Sequence, residues 1–121
     1  MARAVELTGS GLPPLAAQNI VGSVANGLTA LGTNLSNAYL IGAAVNQFTT
    51  VSASTGAALP VGSLPGDDIW VMNLNTGQNL TVYSPTGETI NNAAASFTVA
   101  SNKNAIFKKV TNTVWMAILT A

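Results

Sequence analysis

The chain has 121 residues, of which 48% are hydrophobic and 7% charged, with no cysteine, no histidine and a formal net charge of +0. That composition excludes a disulfide framework, thiolate or imidazole metal sites, and any triad or general base built on histidine. Four basic residues balance four acidic ones, which leaves no stripe to neutralise phosphates, so no nucleic-acid partner is expected.

An average soluble domain is about 25% charged. Low charge beside high apolarity is the reverse of a disordered composition. It suits a surface covered by other protein better than the surface of a lone monomer. A surface made polar by Asn, Thr, Ser and Gln is the alternative. At this length one domain is expected, burying about two-thirds of its unfolded surface. The opening MARAVELTGSG has no apolar h-region, and the longest apolar runs are broken by Asn, Gly and Thr. No leader and no membrane span are expected.

Residues 1–36 read as an extended or weakly structured N-terminal arm. Pro13 and Pro14 favour extended chain. Ile20, Val21, Val24, Leu28, Leu31 and Leu35 roughly follow a helical spacing. Gly22, Gly27 and Gly32 interrupt it, each costing about 1 kcal/mol against Ala in a helix, so a stable helix is not expected. An arm that orders on a partner and an edge strand lying over its own domain both remain open.

Residues 37–121 read as a β domain. Ala38 to Ile41 and Asn46 to Val51 are short runs with β-branched or aromatic residues. Ala57 to Val61 is interrupted by Pro60, which suits an edge or a strand end. Ile69 to Leu74 puts Ile69 and Val71 on one face and Trp70, Met72 and Leu74 on the other. Both faces are apolar, as in a strand covered on two sides. Asn75 to Gln78 reads as a hairpin loop with Gly77 free to take positive φ. Leu80 and Val82 return on one face. Ser84 to Gly87 matches a type I turn with Pro second and Gly fourth. Ser96 to Ala100 and Ala105 to Val110 follow, and Lys108 and Lys109 resemble an edge-protecting device. Val114 to Leu119 is again apolar on both faces. Strands at this spacing predict an all-β fold, a small antiparallel β-sandwich or barrel built from a meander. Its central strands carry more apolar surface than one small core requires, which another subunit could cover.

Reactive groups are scarce. Asp67 and Asp68 are neighbours on a strand start and point to opposite faces, a poor acid/base pair. Asp68 and Glu88 could meet at a calcium ion, but oxygen-rich sites need more ligands. The TGSG of Thr8 to Gly11 lacks the Lys-Ser/Thr ending of a phosphate loop. A Lys–Asn isopeptide crosslink assisted by Glu88 is conceivable from Lys103, Lys108 or Lys109, with no spacing to select one. Trp70, Tyr83 and Trp115 could form a sugar platform, although aromatics in strands commonly pack inside. No enzyme, cofactor or metal is expected.

From Leu28 onward the chain resembles a family of small tailed-bacteriophage head proteins. The resemblance rests on LTALGTNLSNAYLI, VNQFTTVSASTGAALP, PGDDIWVMNLNTGQNLTVYSPTGETINN and a closing strand with Trp, about three-quarters of the chain. Family members often have Gly after the Ile-Asn pair, where this chain has Asn92. The resemblance implies a capsid decoration (cement) protein on the outer surface of the virion, made in the host cytoplasm, with the major capsid protein and itself, as a homotrimer, for partners. On that reading Arg3, Val5, Leu7, Leu12, Pro13 and Pro14 of the arm touch the shell. Trp70, Met72, Tyr83 and Trp115 pack the trimer or, equally, the chain's own core. A carbohydrate-binding or host-adhesion module of a phage head or tail fibre is the alternative.

Overall fold

A computed structural model describes residues 23–120. Among them are ten strands and a single 3₁₀ turn: β1 (Val24–Thr29), the turn (Leu35–Asn37), β2 (Tyr39–Leu40), β3 (Val45–Thr50), β4 (Gly56–Ala58), β5 (Asp68–Asn73), β6 (Leu80–Tyr83), β7 (Thr89–Ile90), β8 (Ser96–Val99), β9 (Asn104–Lys109) and β10 (Val114–Leu119). They form a six-stranded sheet, β1-β3-β5-β9-β10-β7, and a four-stranded sheet, β2-β4-β6-β8. From β1 to β6 the chain alternates between the sheets. Odd strands stack parallel on odd and even on even, which is a solenoid-like winding. Val45 sits beside Val24, 21 residues earlier, and Trp70 beside Val45, 25 residues earlier. The winding ends where β8 and β9 run antiparallel to β6 and β5. β10 then closes a hairpin on β9 and pairs parallel with β7.

The fold is therefore all-β, but its sheets are mixed and not the antiparallel meander expected. Asn75 to Gln78 is no hairpin, because β5 and β6 lie in different sheets. It is a corner, held by the buried side chain of Asn73. That amide donates to the carbonyls of Gln78 (2.9 Å) and Val99 (3.0 Å), and its oxygen accepts from the Asn75 N–H (3.1 Å). β9 lies between β5 and β10, so Lys108 and Lys109 guard no edge. Part of the expected arm, residues 23–36, lies within this stack, with β1 at its edge; residues 1–22 lie outside the described residues.

One core fills the space between the sheets. Phe48, Val71, Phe107 and Trp115 come from the six-stranded sheet, and Leu80, Val82 and Val99 from the four-stranded one. Edge-to-face contacts span the layers, Tyr39 on Phe48 at 5.5 Å and Phe97 on Phe107 at 5.6 Å, each worth about 0.5–1.5 kcal/mol beyond area burial. β4 is buried along its whole length and lies between β2 and β6, a central strand and not an edge, and it ends at Ala58, just before Pro60. Its Gly56 lies under the Tyr83 ring, and an added Cβ would strike the Thr81 carbonyl oxygen. Gly56→Ala is expected to cost about 1–3 kcal/mol, read as a lower urea midpoint at unchanged m-value.

The turns follow local chemistry. Leu64 to Asp67 has Pro65 second and Gly66 third at φ 102, with Asp67 N–H donating to the Leu64 carbonyl at 3.0 Å, a type II turn. The turn after β6 is displaced by one residue from the expected type I. Glu88 N–H donates to the Pro85 carbonyl (3.0 Å), placing Gly87 third with φ 84, which is type II. Asn91 and Asn92 both have positive φ, 56 and 55. Asn tolerates that region better than other non-glycine residues, so the turn forms without glycine at either position.

Candidate interaction surface

The strand register brings one outward residue from each of five strands into a line. Val24, Val45, Trp70, Ile106 and Ile118 are successive partners across β1, β3, β5, β9 and β10. All five are apolar, and all lie on the side of the sheet away from the core. At strand spacing the row is about 19 Å long. Val24 is 56% exposed, Trp70 38% and Ile118 61%, with Val45 and Ile106 half-buried between them. An apolar surface of this kind, rimmed by polar residues, is a candidate for contact with another protein.

The flanking rows carry no net charge. On one side Asp68, Lys108 and Met116 are register partners, and Lys108 Nζ neutralises Asp68 Oδ1 at 3.0 Å. On the other side come Gln47, Met72 and Asn104, with Gln47 Nε2 donating to Met72 Sδ at 3.6 Å.

The four residues expected at a trimer contact do not share a surface. Trp70 and Met72 lie on this outer face. Tyr83 belongs to the four-stranded sheet, its hydroxyl donating to the Thr33 carbonyl at 3.0 Å. Trp115 is fully enclosed in the chain's own core. Its alternation with Met116 was legible, but the side facing inward was not. Val24, Val45, Ile106 and Ile118 were missed as surface residues, because their alignment depends on a register between strands distant in sequence. The arm residues Arg3, Val5, Leu7, Leu12, Pro13 and Pro14 lie outside the described residues.

A second apolar feature lies elsewhere. Leu40, Leu59, Pro60, Val61 and Pro85 help line an open cleft of about 470 Å³ where β2, β4 and β6 end. Leu40 is 76% exposed and Val61 86%.

Asp67, Asp68, Glu88, Lys108 and Lys109, considered for chemistry, have partners within the fold. Asp67 Oδ2 accepts from the Leu64 N–H at 2.9 Å. Glu88 Oε1 accepts from Trp115 Nε1 at 2.8 Å and pairs with Lys109 Nζ at 3.1 Å. Lys109 Nζ also donates to the Ser63 carbonyl at 2.8 Å and lies 5.7 Å from the Trp115 ring centroid. The Lys109 side chain is buried, and that of Glu88 nearly so. Asp68 faces outward with Lys108 while Glu88 faces inward with Lys109, so the two carboxylates do not converge on a cation. The described partners of the Lys109 amine are a carboxylate, a backbone carbonyl and an indole ring, none of them the Asn carboxamide that a Lys–Asn crosslink requires.

Comparison with family models, with curated proteins and with solved structures finds no match for this chain.

Proposed function

We propose that this chain is a non-enzymatic capsid decoration protein that seats as a homotrimer on the outer head surface of a tailed phage and bridges major capsid subunits. The observation that carries this reading is the apolar row Val24–Val45–Trp70–Ile106–Ile118, exposed among the described residues on a sheet face with no net charge. Such a face stabilises an assembly by burial, at roughly 25 cal/mol per Å² of apolar area. Repeated over a shell, many modest contacts of this kind resist outward pressure on the head. The sequence resemblance supplies the phage context.

A carbohydrate-binding adhesion module has less support. It needs exposed, coplanar rings, and among the described residues Trp70 is the sole ring classed as exposed. Tyr83 is pinned to Thr33, and the two close aromatic pairs are edge-to-face. Cosedimentation with capsids assembled from the cognate major capsid protein tests the proposal. Saturable binding in multiples of three, with raised thermal resistance of the shell, is the expected result. Failure to cosediment at any concentration, or saturable glycan binding through Trp70 instead, would sink it.

A further inference from the structure

We infer that Asn26 is a site of self-modification. The backbone nitrogen of Gly27 closes on the Asn26 carboxamide, ammonia leaves, and hydrolysis leaves aspartate or isoaspartate on the outer face of the six-stranded sheet. The inference goes beyond the decoration reading and stands without it.

Sequence gives the first ground. The reaction closes a five-membered ring between an asparagine side chain and the nitrogen of the next residue. A side chain on that next residue hinders the approach, whereas glycine has none and turns more freely than any other residue. Asn26 is the one asparagine in the chain followed by glycine. In the first step a bond forms between the Gly27 nitrogen and Asn26 Cγ, and the Gly27 amide proton passes to hydroxide. The Cγ–Nδ2 bond breaks, and Nδ2 takes a proton from water to leave as ammonia. In the second step water opens the succinimide at one of its two carbonyls. Opening at Cγ gives aspartate, and opening at the backbone carbonyl gives isoaspartate. Water is the only co-reactant.

Strand geometry gives the second ground. In an unbroken ladder, hydrogen bonds to the neighbouring strand fix the dihedrals that must rotate for ring closure. Here the register steps from Ala25 opposite Asn46 to Leu28 opposite Phe48, so Asn26 and Gly27 share the single partner position of Gln47. Such a bulge leaves an extra residue unpaired and disrupts the ladder locally. Gly27 sits at φ 69, with open space where a Cβ would stand. β1 is an edge strand and both residues are exposed, so hydroxide and water reach them. The buried Asn46 and Asn73, by contrast, are followed by Gln47 and Leu74. The Asn73 amide is also held by the carbonyls of Gln78 and Val99.

Position gives the consequence. Gln47 begins the uncharged row Gln47–Met72–Asn104 beside the apolar row, and Asn26 extends it to the sheet edge. A carboxylate there moves the formal net charge of +0 to the negative side. Lys108 lies across the apolar row and is already paired with Asp68 at 3.0 Å. Covering an unpaired charge costs free energy, so modified copies hold an apolar partner less well.

Incubation of the purified chain at neutral and mildly alkaline pH tests this, beside a blocked VANGLT peptide in the same buffers. Peptide mapping by mass spectrometry locates the amide-to-acid change, and chromatography separates the aspartate and isoaspartate forms. The expected result is an acidic species modified at Asn26 ahead of every other asparagine, forming faster as pH rises. Its rate should lie within about tenfold of the peptide's, a barrier difference of about 1.4 kcal/mol. Asn26→Gln, which would need a larger ring, should keep its near-ultraviolet circular dichroism and not form the species. Asn26→Asp should co-elute with the aspartate form on ion exchange. An intact Asn26 in the folded chain when the peptide has converted, or earlier change at another asparagine, overturns the inference. Capsid cosedimentation plays no part in this readout, so its failure and that of the decoration reading are distinguishable.

Discussion

Glu88→Ala is expected to destabilise the fold by about 3–5 kcal/mol, the usual consequence of breaking a buried ion pair from one side. The carboxylate accepts from the Trp115 indole and pairs with Lys109, whose side chain is 4% exposed. Without it, the ammonium keeps only the Ser63 carbonyl and the face of the Trp115 ring. A whole domain is stable by about 5–15 kcal/mol, so this single change could remove much of the total. Glu88→Gln keeps an acceptor for the indole and should cost less. The double variant Glu88→Leu/Lys109→Met removes both charges and should recover most of the loss, because a buried pair often does no better than a hydrophobic replacement. Urea denaturation of the three variants measures this. A Glu88→Ala loss below about 1 kcal/mol, in the range of an exposed pair, would show that the pair is solvated.

Trp115→Ala is expected to cost a further-reaching but similar amount, about 3–5 kcal/mol. The indole is fully buried in the core cluster, and its N–H is satisfied by Glu88. Truncation leaves a cavity and removes one of the two side-chain partners of Glu88. The outcome also separates a core role from a contact role. A core residue lowers the urea midpoint at protein concentrations where the chain is monomeric. An interface residue would leave monomer stability nearly unchanged and lower only the association constant. Trp115→Phe, which keeps most of the volume but loses the donor, should fall between wild type and Trp115→Ala.

Strand positions were largely legible in the sequence, and their pairing was not. The alternation in Ile69 to Leu74 and in Val114 to Leu119 marks β5 and β10 and separates their faces. Alternation does not reveal whether a neighbour runs parallel or antiparallel, since the period of two is the same in both. The Asn-Thr-Gly-Gln turn suited a hairpin equally well. What decides it is Asn73, whose amide reaches Gln78 and Val99 and turns the chain into the other sheet. β1 was obscured by Gly27 within it and by Gly22 and Gly32 on either side, since glycine lowers helix and strand preference alike. Gly27 sits at φ 69 beside a break in the β1–β3 register, so it marks a bulge.

The interaction surface was legible only in part for the same reason. Trp70 and Met72 stood out as the second face of an apolar strand. Their continuation through Val45, Ile106 and Ile118 requires knowing that β3 and β9 flank β5. Trp115 looked like Trp70 on the page, an indole within an apolar strand. Its partner Glu88 lies 27 positions away in sequence, and no local pattern announces that contact. Asp68 and Glu88, which could have met at a cation, do not converge, because each carboxylate has its own lysine on its own side of the sheet.

Everything functional depends on the outer row being sheltered by protein when the molecule works. Acrylamide quenching of indole fluorescence across a dilution series tests this most directly. Trp115 is enclosed in either state, so the change in quenching reports on Trp70, which is 38% exposed in the single chain. The expected result is a protected Trp70 at high concentration that becomes quenchable as the protein is diluted through its association range. Identical quenching at every concentration, in a species that sediments as a monomer throughout, would contradict it.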